Sequence, residues 1–215
     1  MRHRFKMTRF YRTFGIFLLI SVLFITNLTT PIIAQQKNNL VLQSTTTVIT
    51  VEQKIKVGFD IDDTLLFSSP NFDNALNSSV EPYSKEFWEM VNKNDRKYSK
   101  IKPTVKKIVD KHLKNGDEVY IITARKPYGG SHLKRYISKT FGVPKKNIFF
   151  EPESKSERIT NLGLKIYYGD SDDDMRDALK SGARPVRILR AKESSYKKNY
   201  NVGNYDEEIV EDSEW

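Results

Sequence analysis

From Lys54 onward, short apolar runs of strand length alternate with stretches whose apolar residues recur at helical spacing. This alternation constrains the fold more than any other feature of the chain. The strand-like runs are 55–59, 118–123, 148–150, 165–168 and 185–190. Between them, Val105, Ile108, Val109 and Leu113 share one helical face that ends at Asn115-Gly116, and Leu133, Tyr136, Ile137 and Phe141 share another that ends at Gly142. Further helices are expected around 154–162 and across Met175, Ala178 and Leu179. Strands alternating with amphipathic helices close into a parallel sheet by right-handed crossovers, with helices on both faces. In such α/β folds ligands collect beyond the C-terminal ends of the strands. Residues from about 66 to 100 interrupt the alternation and carry Phe72, Tyr83, Phe87, Trp88 and Met90. They read as a small, mainly helical insertion after the first strand, whose aromatics either cap a site or form the insertion's own core.

The first 34 residues obey different rules. Arg2, Arg4, Lys6, Arg9 and Arg12, with no acid among them, precede an apolar run over 15–25 and a small residue at Ala34. That order is expected of a secretory signal peptide cleaved after Ala34, with an uncleaved membrane anchor as the competing reading. Residues 35–53 are polar and Thr-rich, as in an extended arm, and 54–215 form the domain proper. The five cations of the leader account for much of the formal net charge of +9, and nine less five leaves +4 for the rest. A nucleic-acid partner is therefore not expected, nor is stable membrane association once the leader is removed. The absence of cysteine excludes disulfides, thiolate catalysis and Cys-ligated zinc. With His3, His112 and His132 as its only histidines, the chain must run its chemistry mainly on Asp, Glu, Lys, Ser, Thr or Tyr.

The run 55–59 delivers Asp60-Ile61-Asp62-Asp63-Thr64 to the mouth of a buried strand. In an extended segment Asp60 and Asp62 share one side of the backbone, so with a turn just after Asp62 one acid can attack while the other manages a proton. The plainer reading is a strand-to-turn junction in which Asp63 or Thr64 caps a helix. The other strand ends carry equally suitable groups. Thr123, with its hydroxyl, and the amide of Ala124 suit phosphate oxygens. Lys155 suits the charge of a phosphoryl group, although an exposed lysine is the default. The run 170–174, Asp170-Ser171-Asp172-Asp173-Asp174, either completes a magnesium site with Asp60 or serves as a helix N-cap.

Taken together these strings resemble the haloacid dehalogenase (HAD) superfamily, and more closely its class B acid phosphatases. They are Asp60 to Thr64, Ile122-Thr123-Ala124-Arg125, Lys155, Tyr168 to Asp174, Phe87-Trp88 and Arg187-Ile188-Leu189-Arg190-Ala191. The resemblance runs over roughly 54–215 and implies a Rossmann-like core with a cap. It further implies an exported, magnesium-dependent acid phosphatase acting through an aspartyl phosphate, for which an alcohol in place of water gives phosphotransfer; the aromatics near the pocket suit nucleoside monophosphates and aryl phosphates as substrates. By resemblance, Asp60 is the nucleophile and Asp62 the general acid and base, protonated beforehand. Asp60, Asp170 and the backbone carbonyl of Asp62 hold one Mg2+ per subunit, Asp174 orients that site from nearby, and Thr123, Ala124 and Lys155 hold phosphate. Phe72, Trp88, Arg125 and Tyr196 line the substrate pocket, and the assembly is a periplasmic or secreted homotetramer. The departures are Ala124 for a usual glycine, Asp173 for a usual Asn, and a shorter segment between Phe72 and Trp88, which bears on the pocket's shape. A noncatalytic binding or storage protein of the same fold is the alternative, and it would be expected to lack Asp60 or Asp62.

Overall fold

A computed structural model describes residues 53–215; the expected signal segment, its cleavage point at Ala34 and nearly all of the arm lie outside the described residues. In chain order the elements are β1 (Lys56–Phe59), β2 (Leu66–Phe67), α1 (Ser69–Leu76), α2 (Lys85–Tyr98), β3 (Lys100–Ile101), α3 (Pro103–Asn115) and β4 (Glu118–Thr123). Then follow α4 (Gly130–Phe141), β5 (Ile148–Phe150), α5 (Ser156–Leu162), β6 (Ile166–Gly169), α6 (Asp172–Lys180), β7 (Arg184–Ile188) and β8 (Glu208–Val210). Six strands make one sheet in the order β5-β4-β1-β6-β7-β8, with every neighbouring pair parallel. β1 is central, and the chain builds first to one side of it and then to the other. The crevice above β1 is therefore a topological switch point, where ligands of such sheets are bound.

Period-two alternation divides the strands between two cores. Val57, Phe59, Ile121, Ile148, Val186 and Ile188 pack with Val105 and Val109 of α3 and Leu133, Ile137 and Phe141 of α4. Tyr120, Ile122 and Tyr167 face the other way, onto Ile159, Leu164 and Ala178. Gly58 lies where a Cβ would stand 2.5 Å from Leu164 Cδ1 and 2.6 Å from Tyr167 Cδ2, so only glycine permits this layer to close on β1. The helix stop at Asn115-Gly116 is as the sequence predicts: Gly116 takes a left-handed conformation, φ +80°.

Three features depart from expectation. The last strand of the predicted set ends at Ile188, not Arg190, and Leu189 and Arg190 leave the sheet. Leu179 is 49% exposed, because α6 turns Met175 and Ala178 inward instead. β8, an edge strand beside β7, has no counterpart in the expected alternation, since Glu207, Glu208 and Glu211 mask its short apolar centre.

The insertion is a pair of helices, α1 and α2, bracketed by the antiparallel strands β2 and β3. Ser84 caps α2 by accepting from the Phe87 amide at 3.1 Å, with Glu86 in the first turn and Arg96 and Lys97 in the last, as the helix dipole favours. Ala75, Phe87 and Val91 form a core of its own, on which Phe72, Trp88 and Met90 are only partly buried. Among the described residues no helix is long and apolar enough to cross a membrane.

Candidate active site

The Asp60 amide donates to the Tyr168 carbonyl at 2.9 Å, extending the β1–β6 ladder by one residue. The chain then turns at Ile61, one residue earlier than alternation requires, and closes with the Leu66 amide on the Ile61 carbonyl at 2.9 Å. Asp63 adopts φ +53°, a conformation that Asp tolerates better than most residues. No helix starts here, so neither Asp63 nor Thr64 is an N-cap; the Thr64 hydroxyl instead donates to Asp170 Oδ1 at 3.2 Å. Because the strand has already ended, Asp60 and Asp62 meet different partners.

Asp60 belongs to a buried cluster at the ends of β1 and β6. One carboxylate oxygen from each of Asp60, Asp170 and Asp174 lies within 4.8 Å of the others. Lys155, just before α5, is buried and places Nζ 2.5 Å from Asp60 Oδ1 and 2.7 Å from Asp174 Oδ1. Its own amide is anchored on Asp177 of α6 at 2.7 Å. Asp174 forms a capping box with Ser171, whose hydroxyl donates to Asp174 Oδ2 at 2.7 Å. The acidic run is thus a helix cap and part of the cluster at once. Gly169 allows this approach, since a Cβ there would stand 2.4 Å from that of Asp174. Asp170 accepts from Arg190 Nε at 2.5 Å, and its backbone carbonyl accepts from Arg187 at 2.7 Å.

Burial pushes the Asp60 carboxyl well above its ordinary range; Lys155 opposes the shift, and Asp174, Asp170 and Asp62 add to it. Burial likewise lifts Asp170, to about 6, against the pull of Arg190. For Lys155 burial acts downward, but Asp174 and Asp60 hold the ammonium well above the usual lysine value. Three buried carboxylates facing one ammonium and one guanidinium are short of positive charge. Their all-oxygen donor set suits a hard divalent cation, so the residues present fit the Mg2+ that the sequence leads one to expect.

Asp62 is held from the opposite direction. The fully buried Arg125 donates to it through Nε at 2.9 Å and a terminal nitrogen at 2.6 Å, and grips Asp95 of α2 at 2.6 and 3.0 Å. Burial would raise the Asp62 carboxyl, but the charge and hydrogen bonds of Arg125, with Ser68, carry it below the ordinary range. Its side chain remains 30% exposed. Arg125 thus favours the ionised form of Asp62. Asn92 braces the Arg125 loop by donating to the carbonyls of Lys126 at 2.9 Å and Tyr128 at 2.7 Å.

The remaining expected residues divide. Thr123 is buried at the end of β4, its hydroxyl accepting from the Arg125 amide at 3.3 Å, and Ala124 is exposed immediately after it. Phe72 and Trp88 meet edge to face at 6.1 Å, with the Arg125 guanidinium 5.4 Å from the Phe72 ring centre. The buried Trp88 Nε1 has no protein partner. Tyr196 is 51% exposed and lies over the Arg190 guanidinium, 5.1 Å from its ring centre. Its loop is tied to α1 by the Ser195 amide, which donates to Ser69 Oγ at 2.9 Å. Asp95 and Asn92 were not singled out from sequence, and Arg190 entered only within the string Arg187 to Ala191, with no role assigned. The signal for Asp95 was its spacing, four and eight residues beyond the buried Val91 and Phe87, which puts an acid on an apolar face.

Residues 32–199 match the family model of the HAD superfamily, subfamily IIIB (acid phosphatase). The chain is 39% identical over 176 residues to a class B acid phosphatase of Morganella morganii, covering 76% of this chain and 75% of that protein. It is 33% identical over 180 residues to one from Salmonella typhimurium, covering 78% and 76%. The crystal structure of a predicted phosphoglycolate phosphatase from Haemophilus somnus 129pt superposes with a TM-score of 0.52 at 16% identity, over 75% of this chain and 95% of that one, a likeness of fold.

Proposed function

Since the chain belongs to subfamily IIIB of the HAD superfamily, the acid phosphatases, and is a phosphomonoester hydrolase, we propose that Asp60 is its nucleophile and Asp62 its proton carrier. The observation that supports this best is the buried Asp60 carboxylate, 2.5 Å from Lys155 Nζ and clustered with Asp170 and Asp174 at the switch point of a parallel sheet. An Asp60 oxygen attacks phosphorus in line, and the ester P–O bond breaks with its electron pair leaving on the alcohol oxygen. Asp62 gives that oxygen a proton. Water then attacks the aspartyl phosphate, Asp62 takes the water's proton, and the P–O bond to Asp60 breaks to release phosphate. An alcohol in place of water gives phosphotransfer.

Asp60 and Asp170, with the backbone carbonyl of Asp62, are the groups that would hold Mg2+, which when bound supplies charge neutralisation for the phosphate oxygens. Lys155, Thr123 and the Ala124 amide receive the phosphoryl group, and Asp174 fixes Lys155. The Arg125 clasp gives acidic conditions a role. A phosphate bearing its own proton delivers it beside an ionised Asp62, and the incoming negative charge raises the Asp62 pKa against Arg125.

Phe72 and Trp88, with Arg125 beside them, suit a nucleobase or aryl leaving group, so nucleoside monophosphates and aryl phosphates are the proposed substrates. The α1–α2 pair acts as the cap over that pocket, and Tyr196 borders it. Export, cleavage after Ala34 and assembly as a homotetramer belong to the same reading and rest on the leader sequence and on family resemblance. The test is hydrolysis of an aryl phosphate with and without magnesium, beside Asp60→Asn. Metal-dependent turnover should fall by about 10³ or more in the variant, on the order of 4 kcal/mol in barrier. Full activity in Asp60→Asn would overturn the assignment.

A further inference from the structure

A cavity of about 500 Å³ opens between α2 and α4, away from the carboxylate cluster. α2 contributes Lys93 and Arg96; α4 contributes His132, Arg135 and Lys139, with Tyr136 between them. The α4 residues recur at i, i+3 and i+7 and so form one stripe, and α4 contains no acidic residue along its length. Lys93 has an exposed partner, Glu89, at 3.4 Å. Among the described residues Arg96, His132, Arg135 and Lys139 have no ion-pair partner.

Some exposed cations elsewhere are matched. Lys106 pairs with Asp110, Arg158 with Glu151, Arg176 with Asp173 and Arg184 with Glu208. A solvated charged face normally interleaves signs in this way. Here the charged side chains that line a concavity of ligand size between two helices are all cationic. Such an arrangement creates a local positive potential that attracts a multivalent anion.

We propose that the α2–α4 cleft is a binding site for a short phosphate chain, an oligophosphate of three or more negative charges, separate from the catalytic site. The arginine forks match phosphate oxygens bidentately, the lysines supply point charge, and the volume suits a compact chain. The site also has a path to the chemistry. Asn92 and Asp95, each one residue before a cleft cation, hold the Arg125 loop, and α4 begins at Gly130, just beyond that loop. An anion bridging α2 and α4 therefore fastens both supports of Arg125.

The probe is inorganic tripolyphosphate, titrated by calorimetry into the full chain in the presence of chelator, with inorganic phosphate saturating the catalytic site. One tripolyphosphate per chain is expected to bind, weakening as ionic strength rises. The double variant Arg135→Gln, Lys139→Gln should weaken binding at least about tenfold, while its turnover of an aryl phosphate without tripolyphosphate stays at the wild-type value. No binding, binding unchanged in the double variant, or binding abolished by inorganic phosphate would each overturn the proposal. Turnover is read separately, so failure here is distinguishable from failure of the catalytic assignment.

Discussion

Two carboxylates two residues apart, Asp60 and Asp62, belong to different halves of the site. Asp60 sits among groups borne by the sheet: Asp170 at the end of β6, Asp174 in the first turn of α6 and Lys155 before α5. Asp62 is governed from the insertion, because the Arg125 that clasps it is itself clasped by Asp95 of α2. The consequence is opposite shifts: burial carries Asp60 up, while Arg125 outweighs burial and takes Asp62 down. Motif spacing places the two acids, but the balance of burial against the counterion that each finds sets its proton affinity. With the proposed roles, attack on phosphorus would be a property of the sheet, and handling of the leaving-group proton would depend on what the insertion delivers.

The largest effect is expected from breaking the sheet-borne half at Lys155. Lys155→Met leaves Asp60 and Asp174 buried without their shared ammonium, which also removes the influence that lowers Asp60. Phosphate then meets unneutralised carboxylates, and kcat/KM for an aryl phosphate should fall by about 10³, on the order of 4 kcal/mol. Steady-state kinetics on the folded variant measures it. An equal loss in Asp95→Asn would erase the distinction between the halves.

Breaking the insertion-borne half should cost less and alter the pH profile. In Arg125→Met the burial of Asp62 is opposed only by the weaker influences of Ser68 and Lys155, so its pKa rises. A general acid with a higher pKa stays protonated to higher pH, so the alkaline limb of kcat/KM for an alkyl phosphate should move upward. The value itself should drop about tenfold to a hundredfold, the range for loss of a charged positioning group. With an aryl phosphate, whose leaving group needs little protonation, the limb should move less. An unshifted limb with both substrates would remove Asp62 from the acid role.

The metal-binding half should titrate where the other does not. Burial lifts Asp170 to about 6, so above that pH the carboxylate is free to bind, and below it a cation must displace a proton. Apparent Mg2+ affinity measured by calorimetry should fall at least about tenfold per unit below pH 6, since Asp60, also raised, can add its own proton to the competition. A flat affinity from pH 5 to 7 would exclude Asp170 as the titrating ligand.

What the sequence reveals follows the same division. The expected bounds of β4 and β5 coincide with those observed, and Asp60 and Asp170 were legible because each stands at or near the end of an apolar run. Strand ends converge in a parallel sheet, so periodicity brings Asp60 and Asp170 together, whereas Lys155, beyond the end of β5, was picked out by the family resemblance. Arg125 meets Asp62 across 63 positions and Asp95 across 30, and no local pattern encodes that meeting. Arg190 was expected inside a strand, yet it leaves the sheet to hold Asp170. The lowered proton affinity of Asp62 was not legible for the same reason: it depends on a tertiary contact with Arg125, which the insertion holds.

The smallest expected effect probes whether the insertion can loosen while the sheet stays intact. Asn71 of α1 is fully buried and joins the two inserted helices by donating to the Val91 carbonyl at 2.8 Å and to Asp95 Oδ1 at 3.0 Å. Asn71→Ala removes both bonds, but it also removes a buried acceptor, Asn71 Oδ1, that has no partner. Asp95 keeps Arg125 and the Ser99 hydroxyl, at 2.7 Å, as donors. The net cost should therefore be about 1 kcal/mol, the low end for a buried hydrogen-bonding side chain. Hydrogen exchange should show it as faster amides in α1 and α2 with unchanged protection in β1 and β6. Uniform loss of protection across sheet and insertion would mean that the two halves unfold as one unit, and that Asp62 is held by the whole domain rather than by the helix pair.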